Sequence, residues 1–285
     1  MIALTVVVPT RDRPAQLAGC LAALLPELAP GDEVLVVDSA SRAPVRRDLA
    51  PGVTVLRQAQ PGTSRARNAG WRAAGCAVVA FVDDDVRVAP GWRLALGSAL
   101  DGVDGVCGAV TVPPHQRGTE RPVAVTPDVA GHLLTARQLT GVSANCAFDR
   151  SVLSTAGGFD ERLGPGTWFA AAEDQELLAR LVRSGARIRY APEVLAHHDQ
   201  WRTRRDLLRL DWGYGKGAGA RVVMTGRADP RQARALAATA LWEHGLGPVA
   251  GDVRKGYQFG VATGLVRTAG VCAGVMGALV RRDRP

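Results

Sequence analysis

The sequence predicts an α/β protein with a mainly parallel central sheet, helices on both faces, and a basic, mainly helical C-terminal region. Three observations predict it. Short apolar runs alternate with helical stripes over the first half of the chain. Polar residues suited to ligand chemistry end those runs: Thr10, Asp38 and the triplet Asp83-Asp84-Asp85. In sheets of this kind the working groups collect at the carboxyl ends of strands. Charge is also uneven. Residues 201–285 hold 15 Lys/Arg against 6 Asp/Glu, whereas residues 1–200 hold 20 against 21, so the net charge of +8 belongs to the last part of the chain.

The elements follow in order. Residues 4–8 read as a strand, ended by Pro9 and Thr10, and Thr10 or Asp12 caps a helix striped by Leu17, Leu21, Leu24, Leu25 and Leu28. Residues 33–37 and 53–57 are the next strands, and 64–74 suits a helix. Residues 78–82 form a fourth strand, and Pro90 opens a short helix through Leu100. Residues 103–112 are a strand interrupted by glycines, and the prolines of 113–140 mark a loop excursion. Residues 143–148 are strand-like, 150–156 a short helix, and 173–184 a helix carrying Leu177, Leu178, Leu181 and Val182 on one side. Strands at 187–190 and 194–196 precede His197-His198; from Thr203 onward the pattern is basic and helical, with glycines at 213, 215, 217 and 219. Two domains are expected, 1–200 and 201–285.

A chain of 285 residues with 47% hydrophobic content can bury a substantial core. Its five cysteines form no CxxC pair, and the N-terminus enters a strand at once. Reduced thiols, no signal peptide and a cytoplasmic location are therefore expected. Residues 259–280 are weakly apolar and carry Arg267, which favours a core or interface helix over a membrane span. The basic C-terminal region is the expected place for peripheral contact with an anionic membrane face. It lacks an aromatic platform or a helix-turn-helix pattern, so no nucleic-acid partner is expected. The oligomeric state is left open.

The triplet carries the chemistry. On extended backbone Asp83 and Asp85 project to the same side, and two close carboxylates suit a hard divalent cation such as Mg²⁺ or Mn²⁺. A solvated Asp-rich turn is the competing reading. Asp84 faces away on this reading, as a turn acceptor or as a partner for arginine. Asp174 opens a helix, where the dipole favours an acid whether or not it is catalytic. One of the two adjacent histidines is placed to ligate a metal or to reach phosphate.

These pieces, taken in order, resemble the family 2 glycosyltransferases. The matching residues are Val6-Val7-Val8-Pro9-Thr10, Val36-Val37-Asp38, Ala66-Arg67-Asn68-Ala69-Gly70, Phe81-Val82-Asp83-Asp84-Asp85, Gly157-Gly158-Phe159-Asp160-Glu161, Glu173-Asp174 and His197-His198. The resemblance covers about residues 1–200. It implies the GT-A fold, a nucleotide-sugar donor with UDP-sugar as the default, Mn²⁺ or Mg²⁺, and inversion at the anomeric carbon. It implies donor contacts from Pro9, Thr10, Asp38, Arg67, Asn68, Asp83 and Asp84. Metal ligands are implied at Asp83, Asp85 and His197, the last preferred over His198, and the base at Asp174. The acceptor would be a cell-envelope glycan, a lipid-linked sugar or a small secondary metabolite. A nucleotidyltransferase and a non-catalytic sugar-nucleotide or membrane-surface binding module stand as the alternatives.

Overall fold

The computed structural model describes residues 2–281 apart from Arg117, Glu120 and Ala228, and leaves the side chains of Glu243 and His244 undescribed. Arg282 and Arg284, counted in the basic excess, lie outside the described residues. The chain divides into two compact units: residues 1–159 with 174–200, and residues 160–173 with 201–285.

In the first unit the strands are β1 (Leu4–Thr10), β2 (Glu33–Ser39), β3 (Val53–Gln58), β4 (Val78–Val82), β5 (Val86–Val88), β6 (Gly105–Thr111), β7 (His132–Leu133), β8 (Asn145–Asp149) and β9 (Ile188–His198). The helices are α1 (Pro14–Leu24), α2 (Thr63–Ala73), α3 (Trp92–Ala99), α4 (Arg150–Ala156) and α5 (Glu173–Arg183), the last beginning at the junction between the units. Among the described residues the strands form one nine-stranded sheet in the order β3-β2-β1-β4-β8-β6-β9-β5, with β7 on β9. The run β3-β2-β1-β4 is parallel. Beyond it the sheet is mixed, because β8 pairs antiparallel with both β4 and β6, while β6 and β9 are parallel.

Side-chain alternation builds a core on each face. Leu4, Val6, Val8, Val34, Val36, Val78, Ala80 and Val82 face one side, with Leu17 and Leu21 of α1 and Trp92 and Leu96 of α3. Val7, Leu35, Val37, Val79 and Phe81 face the other, with Trp71 of α2, Leu153 of α4 and Leu177 of α5. Such doubly covered strands read as continuous apolar runs, which is why β1 and β4 are legible in the sequence. The register of β6 on β9 shifts between Gly108 and Ala109. There a Cβ on Gly108 would lie 2.2 Å from the Val194 carbonyl oxygen. Asn145 spans the irregularity, donating to the carbonyls of Ala109 and Val194 at 2.9 and 2.8 Å and accepting from the Trp92 indole at 2.9 Å.

The second unit holds α6 (Arg204–Gly226), α7 (Pro230–Ala238), α8 (Gly247–Arg254) and α9 (Gln258–Val280), with a π-type segment, Thr239–Leu246, before α8. Thr203 and Asp206 cap α6 reciprocally. Glycines let α6 and α9 meet backbone to backbone. A Cβ on Gly215 would sit 2.8 Å from the Gly270 Cα, and one on Gly219 would sit 2.8 Å from the Val275 nitrogen. Arg267 of α9 donates from Nε to Asp211 of α6 at 2.8 Å and stacks on Tyr214. Among the described residues α9 is the one helix long and apolar enough to cross a membrane, and a third of its most apolar window is buried.

Candidate active site

The parallel strands deliver three polar groups to one edge of the sheet. Thr10 ends β1 in register with Asp38, the last residue but one of β2, and Asp83 follows the last residue of β4. The triplet is not extended. The Val86 amide donates to the Asp83 carbonyl at 3.1 Å, so the chain turns, and the two-residue alternation expected of Asp83 and Asp85 is lost. Asp84 and Asp85 instead share one cation. Arg13 Nη1 lies 3.0 Å from Asp84 Oδ1 and 3.4 Å from Asp85 Oδ2. Asp84 is buried, not turned to solvent, and accepts from the Thr10 hydroxyl at 2.7 Å. Asp83 pairs separately with Arg67 Nη2 at 2.6 Å.

The electrostatics follow from that packing. Burial pushes the Asp84 carboxyl up to about 6; Arg13 opposes the shift, and Asp85 and Asp83 add to it. Burial also works against the charge of Arg13, but Asp84 and Asp85 outweigh it and hold the guanidinium pKa above its ordinary value.

The histidines separate by strand alternation. His198 stands opposite Val86 in the β9–β5 ladder and its Nε2 lies 3.3 Å from Asp85 Oδ1. His197 faces away and shares a 2.9 Å hydrogen bond with Thr111. His198, rather than the His197 preferred from the sequence, is thus the imidazole that meets the acidic turn. Gln200 orients that ring. Its Oε1 accepts from the Val123 amide, which directs Nε2 to donate to His198 Nδ1 at 3.1 Å and leaves His198 Nε2–H facing Asp85.

Two expected donor contacts are committed to the chain itself. Asn68 donates to the Phe159 carbonyl at 2.9 Å and accepts from the Phe159 amide at 2.8 Å and the Trp71 indole at 3.0 Å. It thereby buttresses the turn at Gly157-Gly158, where a Cβ on Gly158 would lie 2.4 Å from its oxygen. Asp38 accepts from the amides of Ser41 and Val45 at 2.8 and 3.1 Å and from Arg57 at 2.5 Å, fixing the loop after β2. Burial would raise its pKa, but these bonds and the Arg57 charge hold it below the usual carboxylate range. Pro9 lies buried in β1.

Asp174 borders an apolar cavity lined by Cys107, Ser143, Cys146, Phe148, Phe159 and Leu177, among others. Cys146 brings β8 into the wall of this cavity. It pairs with Phe81 of β4 and Cys107 of β6 in the sheet. Its thiol pKa is pushed well up, first by burial and then by Cys107, with Asp83 and Asp174 both adding to the rise.

Residues 5–155 match the family described as glycosyl transferase family 2. The chain belongs to this family. The curated relatives it matches include the pre-mycofactocin glycosyltransferase of Mycobacterium tuberculosis, 31% identical over 77% of this chain and 47% of that protein. The chain thus spans about half the length of these relatives. Among solved structures it is similar to the mannosyltransferase PcManGT from Pyrobaculum calidifontis in complex with GDP-Man and Mn²⁺. That match has a TM-score of 0.61 and 20% identity, covering 99% of this chain and 88% of the other. S. aureus TarS 1–349 matches with a TM-score of 0.60 at 14% identity, over 98% and 92% of the two chains. These likenesses establish the GT-A-type fold.

Arg13 and Gln200 are parts of the site that sequence reasoning did not single out. Arg13 stands three residues past β1 in a segment read there as a strand end and helix cap. Its link to a triplet some seventy residues away is a product of the β1–β4 pairing and carries no local signal.

Proposed function

We propose that this chain transfers a sugar from a nucleoside diphosphate sugar, with a UDP-sugar as the default donor, to an acceptor hydroxyl with inversion at the anomeric carbon. The observation that carries the reading is the acidic turn Asp83–Asp85, set at the carboxyl edge of parallel strands beside Thr10, Arg13 and His198. Residues 1–200 carry the transfer, and the Asp174 cavity marks the acceptor side. The GDP-Man and Mn²⁺ in PcManGT and the UDP-GlcNAc bound to TarS support a nucleotide-sugar donor and a divalent metal here.

The donor set suits Mn²⁺ or Mg²⁺: hard carboxylate oxygens with one imidazole. Among the described residues no three acidic, histidine or cysteine side chains already stand in ligating geometry, because Arg67 and Arg13 engage the carboxylates. Asp83, Asp85 and His198 would hold the ion, with the Arg67 and Arg13 pairs yielding to it. When bound, the ion supplies Lewis-acid stabilisation of the departing diphosphate. Ligation through His198 Nε2 requires its proton to move to Nδ1 and the Gln200 amide to turn its oxygen toward the ring. Arg13, anchored on Asp84, keeps a cation next to the leaving group. Asp174 accepts the acceptor's proton as the hydroxyl attacks, and inversion needs that one carboxylate alone.

The acceptor is a glycan, a lipid-linked sugar or a small molecule, with pre-mycofactocin among those to assay. The cationic excess of residues 201–285 supports peripheral contact with anionic lipid. The decisive experiment is a screen of UDP-, GDP- and dTDP-sugars for Mn²⁺-dependent thermal stabilisation, followed by transfer assays. Stabilisation that requires the ion and is lost in Asp85→Ala is expected. Equal stabilisation by nucleotide sugars in excess chelator would remove the metal from the reading.

A further inference from the structure

Helix α9 is built inside out. Apart from Val271, its buried positions are small or polar: Gly260, Thr263, Gly264, Gly270, Gly274 and Ala278. Its exposed positions include Leu265, Ala269, Cys272, Met276 and Leu279, spaced four and three apart along the helix. The half-exposed residues on either side of that line, Val261, Val266 and Val275 among them, widen it to a broad apolar arc. The arc carries no charge. Arg267, the one charged residue of α9, is turned inward onto Asp211. A water-facing helix places glycine and large apolar residues the other way round. Small residues between helices with large apolar residues outside are the pattern of helices that meet lipid.

The surroundings favour an anionic bilayer as the occupant. Arg254 and Lys255 precede α9 and Arg281 ends it, all exposed, so cations bracket the apolar arc at headgroup-binding positions. The exposed Leu241, Trp242, Leu246 and Val253 of the neighbouring π-type segment and α8 extend the apolar surface and add an interfacial tryptophan. Crossing the bilayer is disfavoured by the partner helix. Backbone contact at Gly215 and Gly219 keeps α6 alongside α9, and α6 would carry Arg209, Lys216 and Arg221 into hydrocarbon.

We propose that α9 lies along the membrane surface with its outer arc inserted among anionic lipids. This rests on the lipid contact proposed for the basic region and is independent of sugar transfer. Insertion differs from electrostatic attachment in what happens at Cys272. That residue is exposed at the centre of the arc, whereas Cys20, Cys107 and Cys146 are buried and Cys76 is half-buried.

The test uses the full chain carrying Cys76→Ser, labelled at Cys272 with an environment-sensitive fluorophore. It is mixed with vesicles of phosphatidylcholine alone or with phosphatidylglycerol. Co-sedimentation with the anionic vesicles, a blue shift of the label, and at least fivefold weaker binding by Met276→Glu are expected. Co-sedimentation with the label still in water would overturn insertion while leaving peripheral attachment standing. No binding to either vesicle would overturn both. A blue shift without lipid that tracks protein concentration and dimer formation in sedimentation would assign the arc to a second copy and defeat the proposal. Because the fluorescence readout keeps every arc side chain except the labelled Cys272, it decides the matter even if Met276→Glu fails to fold.

Discussion

The two units solve burial in opposite ways. In the first, a twisted sheet is covered on both faces, and its large apolar side chains are inside. In the second, glycines occupy the contact between α6 and α9, a small cluster around Leu163 and Phe169 is buried, and many other large apolar groups are outside. Among the described residues eleven of the fifteen exposed large hydrophobic side chains belong to the second unit, although it is the smaller. The first unit also pairs its inner charges closely, as in Asp32–Arg93 and in Arg13 with Asp84 and Asp85. A chain of average hydrophobicity thus holds one unit with its large apolar side chains mostly buried and another that exposes many of them. Its mean hydropathy of +0.02 conceals both.

If the first unit holds the chemistry, the largest effect falls there. Asp174→Asn is expected to cut transfer by about 10²–10⁴-fold, the usual contribution of a positioned base. Donor-dependent thermal stabilisation should stay intact. Normal transfer at saturating donor would move the base elsewhere and break the functional half of the comparison. The next effect concerns stability. Arg93 is 3% exposed and donates to both Asp32 oxygens, at 2.6 and 3.0 Å, while Asp32 also accepts from the Leu4 and Ala29 amides. Arg93→Met strands a buried carboxylate and should cost about 3–5 kcal/mol. Hydrogen exchange should place the lost protection in β1 and α3. A third substitution addresses the other unit. Gly270→Leu forces bulk against the Trp212 carbonyl and Gly215, and should cost about 1–3 kcal/mol or more by overpacking. Protection should fall in α6 and α9; unchanged protection there would mean that close approach is not what holds the pair.

Much of the first unit was legible because strands buried on both faces announce themselves as unbroken apolar runs, β1 and β4 above all. The antiparallel insertion of β8 between β4 and β6 was not, since pairing partners are chosen by packing across the sheet. The acidic triplet was visible, and its internal geometry was not. A turn closed by the Val86 amide replaced the extended alternation that would have aligned Asp83 with Asp85. Which of His197 and His198 meets the acidic turn likewise depended on the β5–β9 register, which periodicity alone does not supply. The glycines of α6 were noticed in the sequence, but their meaning required α9 beside them.

The smallest effect sharpens the electrostatic side of the contrast. Asp38 is buried, and its two oxygens serve two amides and Arg57. Burial alone would raise its pKa, yet the bonds it accepts and the nearby cation depress it. A carboxylate held low in the folded state contributes stability above its unfolded pKa of about 3.9. That contribution fades as pH falls through the lower folded value. Arg57 is 45% exposed on its side chain, so solvent screens its share and the amide bonds carry most of the effect. Asp38→Asn keeps the shape but has one acceptor oxygen for three donors. At neutral pH it should cost about 1–2 kcal/mol in urea unfolding. That deficit should shrink on acidification below about pH 4, as the parent loses the same stabilisation. A constant deficit across that window would mean that Asp38 supports the loop by shape rather than by charge.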